Sequence, residues 1–596
     1  MMSRPEVTGT HNAVATTHWL ATSVAAAVLE HDGNAFDAAV AAGLTLQVVE
    51  PHLNGPGGEV PILVRVAGSG SVEVINGQGA SPQAATIQHF RNLGLDLVPG
   101  SGLLAACVPG AFDAWMLLLA RHGTMKLRDV MKYAITYAES GYPLVPGICA
   151  AINDVRRLFA EEWTESARIY LPSGQVPRPG DRFRNPDLAA TYRRLLDEAE
   201  AASSNREGQI SHARHAFYSG FVADKIDAFC GHATIMDSSG RPHSALMTGD
   251  DLARHHTTVE DPTHLDYHGY TVYKTGPWGQ GPVFLQQLAL LADVDLVGMG
   301  HTSARYVHTV AEYAKLAFAD REAWYGDPRS VDVPVPELLS YQYNQVRRRL
   351  ISDIASRELR PGSVAGHQPR LPSPVTAHPR AESTVTGVGE PTVPQLGSGP
   401  PDGDTCHLDI IDRHGNMVSA TPSGGWLQSS PVIPGLGFGL GTRAQMFWLE
   451  EGLPNSLAGG KRPRTTLSPT VAMRDGTPYL AFGTPGGDGQ DQWSLMFFLA
   501  HVHFGLNFPD AIDAARFSSA HFPSSFYPRT ASPARLVLED RFDTAVVRDL
   551  RRAGHDVHVV DGWSLGRVCA VGSVPGSGML RAAADTRGRQ AYAVAR

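Results

Sequence analysis

Cysteine is scarce in this chain. Cys107, Cys149, Cys230, Cys406 and Cys569 are the only five among 596 residues. They are scattered, odd in number and form no Cys-x-x-Cys pair, so neither a disulfide framework nor a cysteine-based zinc site is read from them, and reduced thiols are expected. No extended basic stripe of Lys and Arg is read, and the net charge is −9. Without a basic stripe to neutralise phosphates, nucleic acid is not an expected partner. No run of roughly 18 apolar residues occurs, so no membrane span or membrane partner is expected. The first residues, MMSRPEVTGTHNAV, lack a charged start followed by an apolar stretch. A secretory signal is therefore not read, and the expected location is cytoplasmic.

What is present is the composition of a globular protein: 43% apolar and 18% charged residues. The length exceeds that of one ordinary domain. Small helix formers fill 21–29. Asn34 follows as a candidate cap, with Asp37 three residues on in the manner of a capping box. The helix begun at Ala35 runs to about Leu46 and is apolar on most faces, which predicts burial. After the turn Asn54-Gly55-Pro56-Gly57-Gly58, residues 60–66 and 71–75 alternate as a strand pair. Residues 110–200 are mainly helical in pattern. Two short strands are expected about Tyr267-His268-Gly269-Tyr270, and helices over 283–291 and 303–318.

The strongest boundary is the segment 361–404, with nine prolines and many Gly, Ser and Thr. It reads as an extended linker. Strand patterning begins immediately after it, in two hairpins: 406–411 with 417–421, and 469–473 with 479–482. The second ends in Gly483-Thr484-Pro485-Gly486-Gly487, ahead of a helix from about Gln492. This divides the chain into 1–360, the linker 361–404, and 405–596.

Thr405 opens the first of these strands, directly after Gly403-Asp404. If the Asp404–Thr405 bond is cut, Thr405 gains a free α-amine beside its hydroxyl. An α-amine titrates near pH 7.7–8.0, so one residue then supplies both nucleophile and base. The alternative is a β-branched threonine that merely starts a strand. His264 and His268 share a metal-like spacing but fall in a strand–turn pattern, and no metal site is expected there.

Several segments together resemble one family. They are Gly33-Asn34-Ala35-Phe36-Asp37-Ala38-Ala39, Asp404-Thr405 with His407, Asp412-Arg413-His414-Gly415-Asn416, Gly460-Lys461-Arg462-Pro463, Ser468-Pro469-Thr470, and Gly483-Thr484-Pro485-Gly486-Gly487. In this order they are similar to the γ-glutamyltransferase (γ-glutamyl transpeptidase) family. The resemblance implies an α+β fold, the four-layer αββα N-terminal-nucleophile (Ntn) hydrolase sandwich. It also implies autocleavage at Asp404/Thr405 into a large and a small subunit that remain partners. Thr405 aligns with the family nucleophile, and Gly486 and Gly487 with the oxyanion-hole glycines. Ser423 stands for the hydroxyl residue that contacts the nucleophile. Thr465 and Thr466 stand for the paired serines on the substrate. No cofactor or metal is implied.

The departures concern the γ-glutamyl pocket. The family's carboxylate-gripping arginine follows an Ala-Thr pair; here Ala85-Thr86 is followed by Ile87, with Arg91 four residues further. The acidic pair that holds the substrate amine is replaced by Phe447-Trp448, after Gln445-Met446, and an asparagine near the nucleophile by Gly425. Charge-assisted bonds contribute about 1.5–3 kcal/mol each, so a zwitterionic ligand loses much of its hold. Trp426, Phe447 and Trp448 are candidate walls of a rebuilt pocket. The leading expectation is a self-processing hydrolase or acyltransferase acting on a small-molecule amide. Two rivals are a carbon–carbon bond hydrolase acting on a keto acid in an actinobacterial alkylproline-type pathway, and a non-catalytic homologue. A homo-oligomer is left open.

Overall fold

The computed structural model describes residues 4–373 and 405–596. Asp404 and most of the Pro-rich linker lie outside them. Two seven-stranded sheets form the centre, each paired antiparallel throughout. The first runs in the order Tyr592–Ala595, Asn12–Thr16, Leu408–Asp412, Met417–Ala420, Val60–Arg65, Val72–Gly77, Thr258–Glu260. The second runs Val7–Gly9, Met579–Ala584, Cys569–Val574, Thr477–Gly483, Thr470–Arg474, Tyr270–Lys274, Thr263–Tyr267. Both hairpins expected after the linker are present. Each sheet combines segments from before and after the linker, so neither is complete without both.

Alternation along the strands sorts side chains into layers. Ala13, Ala15, Leu63, Val74, Ile411 and Met417 of the first sheet meet Val471, Ala481, Val571 and Ala582 of the second in a core between the sheets. Val14, Ile62, Val64, Ile75, Leu408, Ile410 and Val418 face the other way. They pack under the helices Trp19–Glu30, Ala35–Val49, Ala111–His122 and Leu127–Ser140. Val272, Ala472, Leu480, Phe482 and Ala570 cover the outer face of the second sheet against Gly281–Leu291, Ala304–Trp324 and Gln490–Phe504. The result is the expected helix–sheet–sheet–helix stack.

The helix Ala35–Val49 is buried at all 15 positions, three residues longer than its sequence pattern suggested. Its alanines and Gly43 permit close approach. A Cβ on Gly43 would lie 2.3 Å from the Trp115 indole. The capping box forms as expected: the Asn34 side chain accepts from the Phe36 and Asp37 N–H groups, and Asp37 accepts from the Asn34 N–H at 3.0 Å. Asp37 also accepts from the Thr124 and Met125 N–H groups and the Thr124 hydroxyl. The Asp412 carboxylate, in the hairpin turn after Thr405, accepts from the Ala35 N–H at 3.1 Å. Two of the conspicuous sequence segments therefore meet at one helix start. No helix among the described residues is long and apolar enough to cross a membrane.

Because Asp37 satisfies donors on two segments, Asp37→Ala leaves several of them unpaired and is expected to cost about 3 kcal/mol. A urea-unfolding midpoint unchanged from wild type would contradict this reading.

Candidate active site

Thr405 is fully buried and lies at the head of the strand Leu408–Asp412. It forms an antiparallel bridge with Ser423, and the two hydroxyl oxygens are 3.1 Å apart. The alternation that turns Ile411 into the inter-sheet layer also turns Thr405, His407 and Asp409 that way. His407 is held on both ring nitrogens, by Thr421 Oγ1 and Asp409 Oδ2, each at 2.9 Å. Burial raises the Asp409 carboxyl above its ordinary range, with the His407 interaction opposing.

Cys406 points to the helix side. Its thiol donates to Glu50 Oε2 at 2.8 Å, and Asn54 Nδ2 lies 3.1 Å from the sulfur. Burial, reinforced by Glu50, holds the thiol well above its ordinary pKa. A neutral thiol is a poor nucleophile.

Behind Ser423 lies a charged pair that the sequence reading missed. Arg443 Nη2 donates to Ser423 Oγ at 2.7 Å, and Arg443 is ion-paired and hydrogen-bonded with Glu59. Glu59 and Ser423 also exchange backbone hydrogen bonds of 2.8 and 3.0 Å. The guanidinium lies 4.8 Å from the Trp426 ring centroid and 5.7 Å from that of Phe526. Burial raises the Glu59 carboxyl pKa, opposed by Arg443. The available signal was a lone charge at the head of an apolar strand, Glu59-Val60-Pro61-Ile62-Leu63, but nothing local names its partner. Gly424 is required here twice over: its φ is +76°, and a Cβ would lie 2.7 Å from the Glu59 carboxylate.

The Gly-Gly turn follows the strand Thr477–Gly483, whose last residue abuts the His407 ring. A Cβ on Gly483 would lie 2.3 Å from the imidazole. Gly486 has φ +119° and Gly487 φ +51°. Asp488 anchors the turn by accepting from the Ser525 N–H at 2.8 Å and hydroxyl at 2.6 Å, and from Arg321. The helix Gln490–Phe504 starts directly afterwards. Thr465 and Thr466 are buried in the loop ahead of Thr470–Arg474. The Thr465 N–H donates to the Trp278 carbonyl at 2.8 Å. Thr466 Oγ1 is buried with no hydrogen-bond partner among the described residues.

Two of the departures from the family pattern, Ile87 and Phe447, share one cluster. Ile87 starts the helix Ile87–Asn92 and packs in one apolar cluster with Phe447, Ala85, Phe90 and Leu449. Trp448 lies beneath the Arg529 guanidinium, 3.7 Å from its ring centroid. Trp426 is enclosed by Met446 and Phe526 and donates its indole N–H to the Leu53 carbonyl at 2.9 Å, a core position rather than an open wall. Arg91 pairs at the surface with Glu451 at 3.2 Å. Gly425 has φ +67°, and a Cβ there would lie 3.0 Å from the Gly58 nitrogen, so an asparagine at this position would be strained.

His264 stands in a strand opposite Tyr273, and His268 in the adjoining turn. His308, Glu312 and His555, which the sequence did not suggest, do converge. Glu312 is already engaged there by Lys315 at 2.5 Å and by Arg360.

Comparison with known proteins agrees with this geometry. The Gamma-glutamyltranspeptidase family model matches residues 21–595. The chain is 30% identical over 586 residues to the glutathione hydrolase-like YwrD proenzyme of Bacillus subtilis (strain 168), covering 98% of each chain. A solved structure of LmbA2991HD superimposes with a TM-score of 0.92 at 53% identity, covering all of both chains. The cephalosporin acylase of Bacillus halodurans superimposes with a TM-score of 0.81 at 27% identity, covering 100% of this chain and 97% of that one. Helix layers, paired sheets and family match converge: this chain belongs to the gamma-glutamyltranspeptidase family and is a hydrolase of the Ntn type.

Proposed function

We propose that Thr405 is the catalytic nucleophile of a self-processing acyl hydrolase. The observation that carries this reading is the pair of hydroxyls, Thr405 Oγ1 and Ser423 Oγ, 3.1 Å apart at the buried head of a central strand. In the precursor, Thr405 Oγ1 attacks the carbonyl carbon of Asp404. The peptide C–N bond breaks and an ester forms on Thr405, which water hydrolyses to a carboxylate on Asp404 and a free α-amine on Thr405. That amine then takes the proton of Oγ1 as the hydroxyl attacks an amide-like carbonyl of the substrate. The amine delivers the proton to the leaving group, and water or an amine resolves the acyl-enzyme.

Gly486 and Gly487 present backbone N–H groups to the oxyanion. Glycine at φ +119° and +51° supports that role, because only a residue without Cβ exposes consecutive N–H groups there without strain. The Thr466 hydroxyl supplies an uncommitted polar atom for the substrate, with Thr465 beside it. Ile87 and Phe447, apolar where the resemblance places the two ionic grips, are both buried in one apolar cluster, which supports a preference for an uncharged acyl group. A non-catalytic scaffold has no need of both a Pro-Gly-Gly turn at positive φ and a buried pair of hydroxyls.

Intact mass spectrometry of purified wild type is expected to show two fragments meeting at Asp404/Thr405, and of Thr405→Ala a single full-length species without activity. A Thr405→Ala protein that is still cut, or still active, removes the nucleophile assignment. Thr466→Val is expected to be processed normally and to lose about tenfold in kcat/KM, the worth of one neutral hydrogen bond; an unchanged value separates Thr466 from the substrate. An apolar acyl amide is expected to exceed a γ-glutamyl amide by at least about 100-fold in kcat/KM, given two missing charge-assisted contacts. The opposite preference would show that the pocket still takes glutamyl groups.

A further inference from the structure

Resting on Thr405 as nucleophile, we infer that Glu59 and Arg443 form a positioning device. It orients the Ser423 hydroxyl as a hydrogen-bond donor to Thr405 Oγ1.

Donor chemistry favours this direction, because an Arg443 N–H takes one lone pair of Ser423 Oγ and leaves the serine its proton to give. A guanidinium has five N–H donors and no acceptor. In its 2.7 Å bond to Arg443 Nη2, Ser423 Oγ can therefore only accept. A serine hydroxyl has one proton to give, and Thr405 Oγ1 lies 3.1 Å away. A cation on one lone pair of Ser423 polarises its O–H and strengthens it as a donor. A donor aimed at Oγ1 leaves the threonine's own proton to point elsewhere, toward its base. It also stabilises the negative charge that grows on Oγ1 as that proton leaves.

The arrangement is a closed ring of contacts. The Glu59 and Ser423 backbones exchange two hydrogen bonds, the Glu59 carboxylate holds Arg443, and Arg443 holds the Ser423 side chain. Glu59, Ser423 and Thr405 are bridged in register across three chain segments. The Trp426 and Phe526 rings beside the guanidinium restrict its movement. Glu59 and Arg443 are 3% and 1% exposed. Removing two charges from water at that depth is costly, and an apolar pair of equal volume is often as stable or more so. Packing alone does not account for this pair, whereas orienting Ser423 does. Lysine offers a point charge in place of a fork and can keep either the Ser423 or the Glu59 contact well, but not both.

The test is a cycle of variants read by kcat, KM, processing rate and thermal midpoint. The paired substitution E59Q/R443M removes both charges together and is expected to keep the thermal midpoint near wild type. Its kcat and precursor-cleavage rate are expected to fall about 100-fold, with KM within about threefold. R443K is expected to recover about tenfold of that loss. In a Ser423→Ala background, R443K and E59Q/R443M are expected to cost nothing further, because the pair acts through the serine. Wild-type kcat in E59Q/R443M, or full additivity with Ser423→Ala, would overturn the inference. If E59Q/R443M does not fold, the cycle of R443K with Ser423→Ala decides between coupling and additivity on its own. Loss of the Thr405 assignment reads differently, since Thr405→Ala then retains cleavage or turnover.

Discussion

The strand Leu408–Asp412 is hydrogen-bonded on one side to Asn12–Thr16 and on the other to Met417–Ala420, and the candidate site hangs on that double pairing. A central strand has no freedom to shift register, because a slip of one residue would exchange its two faces. Thr405, His407 and Asp409 are thereby committed to the layer between the sheets, and Cys406 to the helices. The same pairing makes the two regions flanking the linker interdependent. Cutting the chain at Asp404/Thr405 removes no strand from either sheet.

Polar groups inside an otherwise apolar sandwich have to be matched one by one. The site does this in a ladder across neighbouring segments. Thr405 faces Ser423, His407 bonds to Thr421, and Ser419 reaches across to the other sheet through the Thr470 N–H at 3.2 Å. The last contact ties the sheet of Thr405 to the one that carries the Gly-Gly turn. Gly483 completes the tie by letting its backbone lie against the His407 ring.

Charge around the site serves to immobilise loops. Arg321, Glu322, Arg464 and Asp488 form a buried network beside the Gly-Gly turn. Burial alone would raise the Glu322 carboxyl; Arg464, Arg321 and Arg529 outweigh it and hold the pKa at about 2. The group is thus ionised across the physiological range, and the turn's anchor keeps its charge complement. Arg462 and Asp327 fix the loop ahead of Thr465 in the same way, at 2.8 Å. Isolated ions at such depth would be unfavourable, so each works only as a member of its set.

Much of this was legible along the chain. The Asn34–Asp37 cap, the apolar run of Ala35–Val49, both hairpins after the linker and the turn at Gly486-Gly487 depend on neighbours within a few residues. Periodicity and backbone demands are local, and the sequence writes them directly. The segments assigned to the site were also present as motifs in order. Their convergence was implied only by family resemblance. Glu59 and Arg443 are 384 residues apart, and read locally each is one more charge in a chain that has many. Ile87 and Phe447 likewise read as two separate losses until one apolar cluster joined them. Trp426 had the composition of a pocket wall and the position of a core residue. Sequence by itself determined which side chains alternate, which turns need glycine and where a threonine could become a chain end. Tertiary structure alone decided which buried charges meet, because pairing energies act through space and leave no periodic mark on the segments that share them.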